Sequence, residues 1–487
     1  MSSSTSAQDC NGLMQPAATK TKTLFGFVCV VLTGIGYMLW ASSTNTSEFL
    51  MAASIIWTTI TASTILMVLK WDLFDIFQLK ICGIYAFSFI ILILIPAPFI
   101  YNDVANDSAR DNFIVAISLG FLSSLLAIST FRSSSNNHSL RYSYKKITQI
   151  DNIGIMKLAC LALLVISIAI MFTYIEQVGT LPIAQAITGD TTRLELALAR
   201  EDALKLIDGP IRYLFRSLRN IVFPYTTILA LLIALESKNR FWYLVGLISL
   251  GGTLVMASAT LEKAVVGASL LPIVFAWLII RKQRLTFVPL VLITILGISF
   301  PVFTVFAVYQ FEIDSTTVFT ALFNRIFYTP SFVLFHYFDL ISSEQSLLWG
   351  RTLPYISNLL PGGNFPITNI ISLKINPFSV VRTGSANAAY IGYLWADFGW
   401  LGVTIGGLLC GSILRVLNNL IESFQNSIPI IILHAMLAYR VVLLTASSIS
   451  DVFDPLGNGF SIVLSLLLLF LATNVSVESP VNTLAAN

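Results

Sequence analysis

The sequence predicts an all-α, polytopic integral membrane protein. Its 487 residues include 56% hydrophobic but only 11% charged side chains, and the mean hydropathy is +0.82, both outside the range of ordinary soluble domains. Apolar runs also recur at about the 20-residue length that a helix needs to cross a bilayer core. The net charge of +3 and the lack of a dense basic run argue against a nucleic-acid partner.

Candidate spans, in chain order, are 24–41, 50–69, 81–101, 113–131, 154–175, 211–235, 241–259, 264–280, 285–310, 386–414, 428–445 and 457–473. They make one membrane domain, 23–474, of about 12 transmembrane helices. Residues 1–22 are Ser/Thr/Ala/Gln-rich and are expected to be disordered, and 475–487 form a tail. The first apolar run follows Lys20 and Lys22, and the many spans after it favour an uncleaved helix over a signal peptide.

Basic residues set the sidedness. Arg132, Arg141, Lys145 and Lys146, then Lys238 and Arg240, then Arg281, Lys282 and Arg284, and finally Arg415 fall on alternate connections, which the positive-inside bias assigns to the cytoplasm. Both termini are then cytoplasmic, and two long loops, 176–210 and 311–385, lie on the outer side. Both loops keep arginines against the bias, which marks those residues as functional candidates.

In the first long loop, Thr192 and Glu195 fit a capping box, and Leu194, Leu198, Leu204 and Ile207 put apolar groups on one side of a helix over 192–207, read as interfacial. Asp208, Gly209 and Pro210 end it and start the next helix. There Arg212, Arg216 and Arg219 share one face at i, i+4 and i+7, with Arg193 and Arg200 nearby in sequence. A lone arginine at a helix end snorkels to lipid phosphate; three on one stripe suit a polyanion.

In the second long loop, FTALFNRIFYTPSFVLFHYFDLI carries Arg325, His336 and Asp339 and is expected to be a helix broken at Pro330 that dips into the interface without crossing. WGRTLP brings Arg351, and the turn-rich LLPGGNFP and KINPFSVVRTGSANAAY follow. Arg382 stands just before the small residues that open the tenth span, where a helix start offers unpaired N–H groups to an anion. Within that span, Gly399, Gly402, Gly406, Gly407 and Gly411 read as close helix packing, whereas Asp397 is an intramembrane carboxylate and hence a site candidate. His434 reads as a structural histidine, and Arg440 requires a partner, for which Asp397 or Asp451 is available.

Outer-face arginines imply an anionic ligand, since the guanidinium fork matches phosphate oxygens. In a membrane, a lipid-linked pyrophosphate sugar meets that requirement. Glycosyl transfer from it needs charge stabilisation on the leaving pyrophosphate and a base for the acceptor hydroxyl. The arginines fit the first role without a metal or other cofactor, and His336, Asp339 or Asp397 the second. No HExxH, GxSxG or Walker sequence is present. The five scattered cysteines, with no CxxC pair, read as packing residues.

Three features together resemble the oligosaccharide repeat-unit polymerases, the Wzy type of O-antigen polymerase. These are the many-span layout with a large late outer loop, FNRIFYTPSFVLFHYF followed by WGRTLP, and AAYIGYLWADFGWLGVTIGGLLCG. The resemblance implies a GT-C-like glycosyltransferase of the bacterial inner membrane, with its active site facing the periplasm. It would move a growing glycan from undecaprenyl pyrophosphate onto a lipid-linked repeat unit, with membrane lipid and a chain-length regulator protein as partners. Arg325, Arg351 and Arg382 match the loop arginines of the pattern. Tyr393 stands where members often carry Glu after the glycine, which leaves the base unassigned. An O-antigen ligase shares the donor and the layout, and a lipid-linked oligosaccharide flippase shares the ligand. A mannosyltransferase-like enzyme fits less well, because the first outer loop holds only Glu48 as an acid.

Overall fold

A computed structural model describes residues 30–39, 42, 47–103, 107–131, 153–179, 181–182, 184–185, 195, 199, 215, 217–259, 263–281, 320, 323–343, 345–353, 356–377, 385–424, 427–454 and 459–475. Among them the secondary structure is helical throughout, without strands. The helices are α1 (Val30–Leu39), α2 (Ser47–Leu69), α3 (Ile81–Asn102), α4 (Asp107–Thr130), α5 (Ile153–Val178), α6 (Leu218–Ser237) and α7 (Arg240–Ser258). They continue with α8 (Lys263–Ile280), α9 (Thr329–Ser343), α10 (Ile367–Ile375), α11 (Tyr390–Ser423), α12 (Ile428–Thr445) and α13 (Phe460–Val475). Seven of them, α2 to α6, α11 and α12, are long and apolar enough to cross a membrane, and α1, α7, α8 and α13 contain shorter apolar helices. All eleven fall on expected spans. The ninth expected span, 285–310, and the expected interfacial helix 192–207 lie outside the described residues, apart from Glu195 and Ala199.

The prolines explain the irregular turns. π turns at Ile90–Leu94, Leu218–Val222 and Asn324–Tyr328 each end two residues before a proline: Pro96, Pro224 and Pro330. A proline has no N–H for the carbonyl four residues back, and its ring collides with that carbonyl. In all three cases that carbonyl belongs to the π turn, whose wider winding makes room. The expected break at Pro330 is therefore a widened turn, and the chain winds continuously from Phe323 through α9. Pro272 sits inside α8 without such a turn, and nothing in the structure explains the difference.

Helices α4 and α11 form the tightest contact. A methyl group on Gly411 would collide with the Ser124 carbonyl oxygen, and one on Gly407 with that of Gly120. Arg415 Nε donates to Phe131 O at 3.3 Å. Positions 120, 124 and 131 thus pair with 407, 411 and 415 in the same order, so the helices run parallel with backbones in contact, as small residues at four-residue spacing permit. Arg415 was expected on a cytoplasmic connection; it lies inside α11 and is buried, because the helix continues to Ser423.

Helix α11 is in two pieces. Gly399 has φ 57° and ψ −137°, a conformation restricted to glycine. The pieces fold sharply, so that a side chain on Gly402 or Gly406 would meet Leu394 of the first piece. Gly399→Ala is expected to cost about 1–3 kcal/mol in backbone strain, readable as a lower melting temperature of the purified protein.

Tyr85 hydroxyl lies 2.8 Å from Ser124 Oγ and 2.9 Å from Tyr390 hydroxyl, joining α3, α4 and α11 in the interior. Elsewhere Tyr225 hydroxyl meets Ser465 Oγ at 3.0 Å, tying α6 to α13. Lys80 pairs with Glu422, and His434 Nε2 lies 2.8 Å from Leu79 O, which gives that histidine the structural role its sequence setting suggested. Cys82, Cys160 and Cys410 are buried and free, as packing residues.

Candidate functional site

Proline also prepares the most unusual charged pair. Pro224 offers no N–H to the carbonyl of Asn220, which lies in the π turn opening α6. That carbonyl accepts from Arg440 Nη2 at 3.5 Å. The side chain of the same asparagine accepts from Arg219 Nε at 3.1 Å. Two guanidinium groups, each 4% exposed, therefore meet at one residue that carries no charge. Arg219 also lies over the Phe215 ring, 5.5 Å from its centroid.

Arg440 has no carboxylate partner among the described residues. Asp397 and Asp451, the expected partners, are engaged elsewhere: Asp451 accepts from Ser447 Oγ at 3.3 Å, and Asp397 is held by Thr352. Arg440 Nη1 is buried and has no acceptor among the described residues. Burying an unpaired charge is costly, which makes Arg440 a candidate for contact with an anion.

Asp397 ends the first piece of α11. Its Oδ1 accepts from Thr352 N at 3.2 Å and its Oδ2 from Thr352 Oγ1, while its backbone carbonyl accepts from Trp349 N at 2.9 Å. The WGRT stretch is thus seated on the helix break. Arg351, in the same stretch, donates Nε to Gly363 O at 3.1 Å and Nη2 to Gly362 O at 3.0 Å, and stacks over Phe365. Its guanidinium holds the PGG turn.

On α9, Asp339 pairs with Lys374 of α10 at 2.9 Å, and His336 Nδ1 lies 4.0 Å from the same carboxylate. The His336 ring stands edge-on to Phe332, and neither ring nitrogen has a hydrogen-bond partner among the described residues. Burial lowers its pKa below the ordinary 6.5, opposed by Asp339 and assisted by Lys374. Because the unfolded chain takes up the proton first, stability contributed here is complete above 6.5 and is lost as pH falls below it. A melting-temperature series against pH should therefore decline on the acid side of 6.5 and decline less in His336→Phe.

The sequence-derived candidates thus sort into groups: Arg219 with Arg440, Asp397 with Arg351, and His336 with Asp339. Arg325 is exposed on the π turn before α9. Arg193, Arg200, Arg212, Arg216 and Arg382 lie outside the described residues. Sequence reasoning missed Asn220 and Thr352, although a proline four residues after an asparagine signals a released carbonyl. It also missed the tyrosines that fix the entry to α11: Tyr337 hydroxyl donates to Ala386 O at 2.9 Å, and Tyr393 hydroxyl to Asn387 Oδ1 at 3.4 Å. Compared with known proteins, the chain matches no family model, no curated protein and no solved structure.

Proposed function

We propose that the protein is a membrane glycosyltransferase of the repeat-unit polymerase type, acting on a glycan linked to undecaprenyl pyrophosphate. The observation that carries this reading is the buried Arg219–Asn220–Arg440 group, with an arginine N–H lacking an acceptor. Guanidinium forks there can take the oxygens of a pyrophosphate whose lipid tail lies among the helices. Charge accumulates on that pyrophosphate as the sugar C1–O bond breaks and the acceptor hydroxyl bonds to C1, and two fixed cations stabilise it without rearrangement.

The hydroxyl proton needs an acceptor. Asp339 is paired with Lys374, and both oxygens of Asp397 accept from Thr352. His336 is held toward its neutral form and has no hydrogen-bond partner among the described residues, so it is assigned as the base.

The test is elongation by purified protein in proteoliposomes supplied with an undecaprenyl-pyrophosphate repeat unit. Wild type should build a ladder, and Arg440→Ala or Arg219→Ala should lower its rate by about 100-fold or more at equal protein level. A wild-type protein that moves the lipid-linked unit across the bilayer but makes no ladder is a flippase. One that transfers only to a lipid A core is a ligase. Normal ladders from both arginine variants would remove this pair from the site.

A further inference from the structure

The loop described at 347–353 and 356–363 exposes large apolar side chains although many of its polar groups are bonded to the protein. Its backbone bonds inward and to itself: Leu348 and Trp349 N–H donate to the carbonyls of Ala396 and Asp397 at 2.9 Å each, and Ser357 N donates to Leu353 O at 3.0 Å. Thr352 is bound to Asp397, and the Arg351 guanidinium is bonded to the Gly362 and Gly363 carbonyls. Three large apolar side chains nevertheless point outward, Trp349 68%, Ile356 50% and Leu359 85% exposed, while Leu348 is buried in the core. Trp349 takes a left-handed φ of 52°, an uncommon conformation for a residue other than glycine.

The place of the loop says what meets those side chains. Its bonds to Ala396 and Asp397 hold it at the break in α11, a helix long and apolar enough to cross a membrane. At that break begins the exposed apolar stripe Trp400, Leu401 and Ile405, of which Leu401 is 72% exposed. In water each exposed leucine forgoes about 2 kcal/mol of transfer free energy. In lipid it does not, provided that the backbone bonds internally, and this loop's backbone largely does. Tryptophan at the edge of an apolar belt favours the headgroup level.

We propose that residues 347–353 and 356–363 form a wedge seated in the phospholipid interface, in the leaflet that holds the Gly399 break, with Trp349, Ile356 and Leu359 as its buried edge. It anchors the outer end of α11 independently of the reaction catalysed.

The test uses full-length protein with Cys10→Ser and Cys29→Ser, leaving the buried Cys82, Cys160 and Cys410 in place. Trp349→Cys, Leu359→Cys and Ser346→Cys are labelled singly with bimane and reconstituted in phosphatidylethanolamine and phosphatidylglycerol vesicles. Labels at 349 and 359 should be quenched severalfold more by a nitroxide lipid labelled near the headgroup than by aqueous iodide, and the label at 346 the reverse. Iodide quenching at 349 and 359 equal to that at 346 overturns the proposal. So does protection from both quenchers, which would mean that a second copy or another protein covers the loop. If Trp349→Cys fails to insert, Leu359→Cys with Trp349 intact decides the matter.

Discussion

Gly411→Leu is expected to leave little folded protein in the membrane. A side chain at this position points at the Ser124 carbonyl of α4, which is backbone and cannot swing aside. The helices must then separate, which breaks the parallel seam at Gly407 and Gly120 as well and pulls Arg415 from the Phe131 carbonyl. It also disturbs the Tyr85, Ser124 and Tyr390 hydroxyls that join three helices. Overpacking of a well-filled core costs about 1–3 kcal/mol, and more when no side chain can repack; here it is aimed at backbone, so about 3 kcal/mol or more is expected. Gly251→Leu is the matched control, because that glycine on α7 has open space around it. Fluorescence-detected size-exclusion chromatography of detergent extracts should show a normal monodisperse peak for the control and a peak lost or shifted to the void for Gly411→Leu. Equal peaks would mean that the α4–α11 seam is not the tight contact described.

The glycine pattern made that seam legible in advance, because small residues spaced by four carry their meaning locally. The break at Gly399 was not legible. A glycine that packs and a glycine that bends the chain look alike until a partner is known, and here neighbouring glycines do different jobs: 402 and 406 face Leu394, while 407 and 411 face α4. Prolines gave a similar half-signal. Pro330 announced an irregularity, but whether a helix breaks or widens depends on what packs around it, and Ser331 Oγ bonding to Ile93 O holds this one against α3.

Charges were harder still. An arginine in a long outer loop looks available for a ligand, yet Arg351 spends two of its donor nitrogens on carbonyls of its own loop. An arginine inside an apolar run looks as though it must have a carboxylate, yet among the described residues Arg440 has a weakly bonded carbonyl and an N–H without an acceptor. Sequence gives the kind of group and its depth along a helix. Which acceptors surround it is a property of chain segments more than two hundred residues apart, as the pairing of Arg440 with Asn220 shows.

Asp397→Ala should release the WGRT loop, and this separates a latch from a catalytic base. The substitution leaves Thr352 N and Oγ1 without their acceptors next to a buried helix end. Loss of hydrogen bonds to a carboxylate costs about 1.5–3 kcal/mol. The backbone bonds of Leu348 and Trp349 to Ala396 and Asp397 remain, so the loop should loosen rather than let the whole chain unfold. Hydrogen exchange over residues 345–353 is expected to accelerate, by about tenfold or more per 1.4 kcal/mol lost, while α4 and the second piece of α11 keep their protection. Thr352→Val should reproduce most of the effect, and combining it with Asp397→Ala should add little, because the two side chains form one interaction. Asp397→Asn keeps one acceptor for the Thr352 N–H and an amide able to donate to the hydroxyl, so it should hold the loop and retain glycan elongation. A carboxylate acting as general base has no such substitute, because an amide does not take up the proton. Elongation abolished in Asp397→Asn, with exchange over 345–353 unchanged, would therefore move this residue from the loop latch into the chemistry.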